Sequence, residues 1–224
     1  MTWILFDWLG TFAFAVSGAM VGLSRRMDIF GIVVLAILTA VGGGMVRDVL
    51  VGITPPVALS NPTDLLLSIA TAVLVSVIYE YFHINHGSKQ IAGFLYNGCD
   101  TIGLASFTVT GALVGLRQGG PGSAFVLPIM LACITAVGGG MLRDLMAQRM
   151  PVVLRMDVYA VASLFGAFLM CLSWPVFGTD ASSWIGFLSV LTLRALALRY
   201  GWQVYHPHPR RRTVHPLRHR KKQP

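Results

Sequence analysis

Charge is scarce in this chain of 224 residues. Asp, Glu, Lys and Arg make up 12% of it, where a soluble globular domain carries about 25%. Hydrophobic residues reach 55%, with a mean hydropathy of +0.69. They fall in long blocks, not in amphipathic stripes, which argues against a soluble domain. Cysteine is also sparse: Cys99, Cys133 and Cys171 are dispersed along the chain. That spacing excludes a disulfide framework and a thiolate metal cluster. No nucleophile–base arrangement, phosphate-binding loop or metal-ligand cluster can be read, so no enzyme is expected and no cofactor. The N-terminal MTWILFDW has no basic residue and carries Asp7, which is unlike a cleavable signal peptide.

What is abundant is apolar sequence of membrane-crossing length, about 20 residues per span. Seven candidate spans occur, at about 3–23, 29–50, 64–82, 92–116, 124–146, 156–175 and 183–202. The expected fold is an all-α membrane protein of seven transmembrane helices. The net charge of +8 is concentrated at one end: the segment after Tyr205 holds Arg210, Arg211, Arg212, Arg218, Arg220, Lys221 and Lys222. Without it, ten basic residues face nine acidic ones. Residues 206–224 are Pro-rich and nearly free of apolar residues, so a disordered cytoplasmic tail is expected, drawn to anionic lipid head groups and not to nucleic acid. Positive residues mark the cytoplasmic side. The tail then sets the C-terminus inside, and seven crossings set the N-terminus outside. Arg25, Arg26, Lys89, Arg149 and Arg155 agree with this by falling inside. Trp3, Trp174, Trp184 and Trp202 lie near span ends as interfacial anchors.

The chain repeats itself. DWLGTFAFAVSGAMVGL (7–23) matches DTIGLASFTVTGALVGL (100–116), and TAVGGGMVRDVL (39–50) matches TAVGGGMLRDLM (135–146). The offset is 93 residues in the first pair and 96 in the second. Residues 1–88 and 89–178 are thus read as two three-helix units, followed by a seventh helix at 179–205. Three crossings per unit turn the second upside down relative to the first, an arrangement that encloses a site near the bilayer midplane.

Glycine is the costly feature. Each one inside a helix costs about 1 kcal/mol relative to Ala. GAMVG (18–22) and GALVG (111–115) have the spacing of close helix packing. The consecutive Gly42, Gly43 and Gly44, and Gly138, Gly139 and Gly140, point about 100° apart from one another. They are therefore predicted to kink helices two and five. A break would free main-chain carbonyls of Thr39, Ala40 and Val41, and of Thr135, Ala136 and Val137. Such carbonyls, with the negative end of a half-helix dipole, suit a monovalent cation. Ser17, Thr110, Thr39 and Thr135 are the candidate polar lining. Charged residues within spans mark functional hypotheses: Asp7, Arg47 and Asp48 toward one mouth, Asp100, Arg143 and Asp144 toward the other. Adjacent Arg47 and Asp48 point to different sides of their helix, so the expected pairs are Arg47 with Asp7 and Arg143 with Asp100. Arg194, which has no repeat partner, is expected to snorkel to the interface.

Two copies of GGGxxRD, at 42–48 and 138–144, in a seven-span inverted repeat resemble the prokaryotic branch of the trimeric intracellular cation (TRIC) channel family. The same domain family has been described as a bacterial glycine transporter. The resemblance covers about residues 3–202. It implies a homotrimer in the bacterial inner (plasma) membrane with one pore per subunit, permeable to K⁺ and Na⁺. The pore would be bounded by spans one to six, with the two triple glycines as kinks and Arg47, Asp48, Arg143 and Asp144 beside them. The lysine-containing phosphoinositide motif of the animal branch is absent. A secondary transporter of a small amino acid such as glycine remains the alternative, and a purely structural membrane protein a third.

Overall fold

The computed structural model describes residues 2–81, 89–119, 125–155 and 158–202. Within them the chain is helical: α1 (Thr2–Ser24), α2 (Ile29–Leu50), α3 (Val57–Ser60), α4 (Thr63–Tyr81), α5 (Lys89–Gln118), α6 (Val126–Met146), α7 (Val152–Arg155) and α8 (Val158–Tyr200). Among the described residues, six helices are long and apolar enough to cross a membrane. A helix is the form in which an apolar segment satisfies its own backbone in lipid. The basic tail 206–224, His83, His86 and Asp157 lie outside the described residues, as do the side chains of Lys89 and Arg155.

The last long helix is not straight. At about 1.5 Å per residue, 43 residues would reach about 65 Å, twice the hydrocarbon thickness. The helix is interrupted at Gly178, with φ 71° and ψ −173°, three residues after Pro175. That backbone region belongs to glycine. The arms fold back on each other: Gly166 faces Val190, and Gly186 faces Met170. The expected spans at 156–175 and 183–202 fall on the two sides of this turn.

Packing follows the repeat. α1 packs on α2 and α4, and α5 packs correspondingly on α6 and α8. The halves meet through α1 against α5 and α2 against α6. Phe14 and Phe107 form an edge-to-face pair 5.2 Å apart at the α1–α5 contact. Each ring lies over a glycine of the other helix, Phe14 over Gly103 and Phe107 over Gly10. α1 and α5 run in opposite directions: Trp3 meets Arg117 near one end, and Ser17 meets Asp100 toward the other. The glycines of the two GxxxG segments seat neighbours as expected. Gly18 and Gly111 rest on the backbones of α2 and α6, at Ala36 and Ala132.

The triple glycines behave differently from the sequence expectation. Helical backbone runs unbroken through Gly42–Gly44 and Gly138–Gly140. No carbonyls are released there, because a continuous helix keeps each one bonded four residues on. The middle glycines instead form the α2–α6 crossing. A Cβ on Gly43 would stand 2.1 Å from the Thr135 carbonyl oxygen, and one on Gly139 would stand 2.1 Å from that of Thr39. A Cβ on Gly138 would come within 3.2 Å of the Gly43 Cα. Two helices of opposite repeats thus touch backbone to backbone. Gly44 is looser: a Cβ there would meet only Arg47 Nη2, at 3.6 Å.

The glycines should therefore differ sharply in their tolerance of a methyl group. Gly43→Ala and Gly139→Ala should each destabilise the purified protein by about 1–3 kcal/mol through overpacking. Gly44→Ala should be neutral or stabilising by up to about 1 kcal/mol, the helix-propensity gain. Thermal unfolding in detergent gives the order, and equal shifts at all three positions would contradict the crossing.

Candidate functional site

Each repeat gathers an aromatic ring, an Asp, and the Arg–Asp of its motif at one end of the bundle. In the first repeat, α1 brings Trp3 and Asp7, the last turn of α2 brings Arg47 and Asp48, and the start of α4 brings Asp64. Arg47 Nε donates to Asp48 Oδ1 at 2.9 Å, and Nη2 lies 2.8 Å from the same oxygen. The other Asp48 oxygen accepts the Val57 amide at 3.0 Å, anchoring the start of α3. Arg47 and Arg117 lie 5.6 and 5.4 Å from the Trp3 ring centroid.

This end is open. A cleft with about 390 Å³ of unfilled space, its mouth included, runs from Asp7 and Asp64 down to Gly44, Ala40, Val41 and Thr135 at the glycine crossing. Asp7 and Asp64 make no ion pair among the described residues. The expected Arg47–Asp7 pair is thus replaced by Arg47–Asp48. Adjacent residues pair here because Asp48 sits in the final turn. Its carboxylate reaches past the helix end to the Val57 amide, where the Arg47 guanidinium can fold alongside it.

The second repeat holds the same parts in a closed arrangement. α5 supplies Tyr96 and Asp100, α6 supplies Arg143 and Asp144, and Arg149 follows α6. Arg143 is fully buried. Its Nη1 donates to Asp100 Oδ1 at 2.6 Å, the expected pair, and also to Ser17 Oγ on α1. Ser17 Oγ in turn donates to Asp100 Oδ1 at 3.3 Å. Arg143 Nε donates to Asp144 Oδ1 at 2.8 Å. Asp144 also takes the Arg149 Nε at 2.8 Å and, through Oδ2, the Val152 amide at 2.8 Å, which repeats the Asp48–Val57 anchor. Arg149 Nη2 donates to Tyr96 Oη at 2.6 Å, and Arg143 and Arg149 lie 5.1 and 5.3 Å from that ring's centroid.

The remaining candidates divide. Thr39 and Thr135 donate to their own helices, at Leu35 O and Leu131 O, both at 2.6 Å. Thr110 does likewise, at Phe107 O and 3.4 Å. Of the four hydroxyls, Ser17 alone bonds to another helix among the described residues. Ala40 and Val41 line the cleft, while Ala136 and Val137 do not. Arg194 does not snorkel. It is 2% exposed and lies 4.7 Å from the ring centroid of buried Tyr159. The antiparallel arms of α8 bring the two together, which sequence spacing does not reveal. Trp3, Tyr96, Asp64, Arg149 and Tyr159 are site residues beyond those expected. Trp3 and Tyr96 are separated by 93 residues, the repeat offset, and extending the alignment four positions back from Asp7 and Asp100 finds them.

The family model described as glycine transporter matches residues 4–80 and 98–175. The UPF0126 membrane protein YvgT of Bacillus subtilis is 33% identical, over 91% of this chain and 96% of its own length. The UPF0126 inner membrane protein YadS of Escherichia coli K12 is 31% identical, over 87% and 90%. A prokaryotic TRIC channel crystallised in 0.5 M KCl superposes with a TM-score of 0.82 at 29% identity, covering 90% of this chain and 98% of that one. The TRIC orthologue from Rhodobacter sphaeroides does so with a TM-score of 0.77 at 34% identity, over 89% and 98%.

The two ends should respond unequally to loss of equivalent carboxylates. Asp100→Ala strands a buried guanidinium and should cost about 3–5 kcal/mol. Asp7→Ala breaks no ion pair and should cost below about 1 kcal/mol, the range of an exposed pair. Unfolding of the two variants side by side reads the difference; equal losses would contradict the asymmetry.

Proposed function

The chain belongs to the glycine transporter family, whose solved structural neighbours here are TRIC cation channels, and on that premise we propose that it conducts K⁺ and Na⁺ passively, with one pore per subunit of a homotrimer. The observation that carries this reading is the cleft at the Arg47 end. Three carboxylates, Asp7, Asp48 and Asp64, line it against one guanidinium, Arg47. An entrance with that balance between low-dielectric walls concentrates cations and repels anions. The cleft floor lies beside the glycine crossing, between the two repeats. The proposed path continues past Ser17, Thr110, Thr39 and Thr135 to the Arg143 cluster. Unlike the sequence reading, it relies on side chains and on the helix surface at Ala40 and Val41, not on carbonyls freed by a break.

In the proposed topology the arms of α8 are two crossings, which makes seven. Residues 1–88 and 89–178 are inverted repeats, with 179–205 as the seventh crossing. The N-terminus lies outside and the C-terminus in the cytoplasm of a cell whose inner membrane holds the protein. The basic tail, 206–224, meets anionic lipid there. Permeant K⁺ or Na⁺ is the only ligand the reading requires.

A secondary transporter for a small amino acid such as glycine is the competing reading. One observation favours it: a cleft opens at the Arg47 end while Arg143, at the matching place in the other half, is fully buried, an inequality that a carrier requires. Purified protein in planar bilayers separates the two. Discrete unitary K⁺ currents are expected, whereas saturable glycine uptake with counterflow and no unitary current would replace the channel by the carrier. If the cleft recruits cations electrostatically, Asp7→Asn with Asp64→Asn should lower the unitary conductance several-fold at 20 mM KCl, and little at 1 M, where the screening length is about 3 Å. An equal reduction at both salt concentrations would contradict that role.

A further inference from the structure

We propose that Arg117 sets the valence of the cations the cleft accepts, favouring monovalent over divalent ions by holding a tethered positive charge at the mouth. The inference rests on the reading of the cleft as a cation entrance and names the residue that selects among cations there. The cleft carries three carboxylates, Asp7, Asp48 and Asp64, and Arg47 pairs with Asp48. Asp7 and Asp64 are left without an ion pair among the described residues. Two unpaired carboxylates lining one cleft suit a divalent cation, because ligand charge count governs affinity for such ions. Arg117 alters that balance. It stands exposed in the last turn of α5 and makes no ion pair among the described residues. Its guanidinium lies 5.4 Å from the centroid of the Trp3 ring, and Trp3 lines the cleft with Asp7. With Arg117 the mouth carries one net negative charge; without it, two.

The hold on this charge is light. At the other end Arg149 lies 5.3 Å from the Tyr96 ring centroid, but it also donates to Tyr96 Oη and to Asp144. Arg117 has no such ion pair to add to its ring. A cation–π contact at an exposed site favours the stacked position by only about two- to fivefold. The side chain can swing aside for a permeant ion and return, while its root stays fixed: α5 is held against α1 by the Phe14–Phe107 pair and the glycines under each ring. The selection follows from Coulomb's law. A fixed charge changes the entry energy of an ion in proportion to the charge of that ion. If Arg117 lowers occupancy by a monovalent cation by some factor, it lowers occupancy by a divalent cation by the square of that factor. An effect of about threefold on K⁺ becomes about tenfold on Ba²⁺.

The test uses full-length protein in detergent at low ionic strength, held constant with N-methyl-D-glucamine chloride. K⁺ and Ba²⁺ are titrated separately, and the midpoint of thermal stabilisation gives the apparent affinity for each. Arg117→Gln is expected to tighten K⁺ about threefold and Ba²⁺ about tenfold, the second factor being the square of the first. Arg117→Lys, which keeps the charge, should leave both midpoints at their original values. Trp3→Leu, which releases the guanidinium, should tighten Ba²⁺ by a smaller factor than Arg117→Gln. Arg25→Gln removes an exposed charge at the other end, where Arg25 donates to the Gln148 carbonyl, and should move neither midpoint. Asp7→Asn with Asp64→Asn should abolish stabilisation by Ba²⁺. In planar bilayers, Ba²⁺ should block K⁺ current through Arg117→Gln protein at about a tenth of the concentration otherwise needed. Unchanged midpoints in folded Arg117→Gln protein, equal factors for the two ions, or an equal shift in Arg25→Gln would overturn the proposal. So would Ba²⁺ stabilisation that survives loss of both carboxylates, or a Trp3→Leu chain with an unshifted Ba²⁺ midpoint. The expected midpoints with no K⁺ current in any variant would sustain the role of Arg117 and overturn only the reading of passive conduction.

Discussion

The architecture turns on the approach of two backbones. Where α2 crosses α6, the atoms that a side chain would occupy are carbonyl oxygens of the opposite helix, at Thr135 and Thr39. Only a residue without a Cβ fits. In lipid, where apolar surface gains little by leaving the solvent, close van der Waals packing is what joins helices. The crossing ties one repeat to the other at a fixed point. The cleft at the Arg47 end, lined mainly by α1, α2 and the starts of α3 and α4, reaches down to the crossing at Gly44 and Thr135. The propensity cost of the middle glycine of each triplet, Gly43 and Gly139, is offset by contact that no other residue permits.

The second organising constraint is electrostatic. A charge in a membrane span has to find a partner or water. The motif solves this identically in both repeats as far as its Asp is concerned: Asp48 and Asp144 accept from the preceding Arg and from the amide that begins the next short helix, at Val57 and Val152. That shared part is scaffold, fixing the turn after each long helix. The difference lies in the Arg. Arg47 stops at its neighbour, while Arg143 goes on to Asp100 and Ser17. The two ends carry matching residues in different arrangements.

Much of this was legible in the sequence, and the failures share a cause. The all-helical membrane fold, the GxxxG contacts and the Arg143–Asp100 pair follow from hydropathy, from glycine spacing, and from where charges fall along a helix. The triple glycines were misjudged because spacing gives the directions in which residues point, not which neighbour stands there. Three directions for three glycines suggested a break, whereas the middle one meets a helix, one flank meets a flexible leucine side chain at Gly42, and the other meets only the Arg47 guanidinium at Gly44. Arg47 and Asp48 were set apart by mid-helix geometry, which does not hold in a final turn. Arg194 was assigned to the interface because its partner, Tyr159, is brought to it only by the reversal at Gly178. In each case the missing information was tertiary.

The central claim is that cations enter each chain through the cleft beside the α2–α6 crossing. The most direct measurement is crystallography with Rb⁺ or Tl⁺ in place of K⁺, locating the ion by anomalous scattering. The account predicts a peak inside each subunit, in the cleft between Asp7 and Asp64 and above Gly44. Peaks found only between subunits, with the cleft of every subunit free of ions at saturating salt, would contradict it.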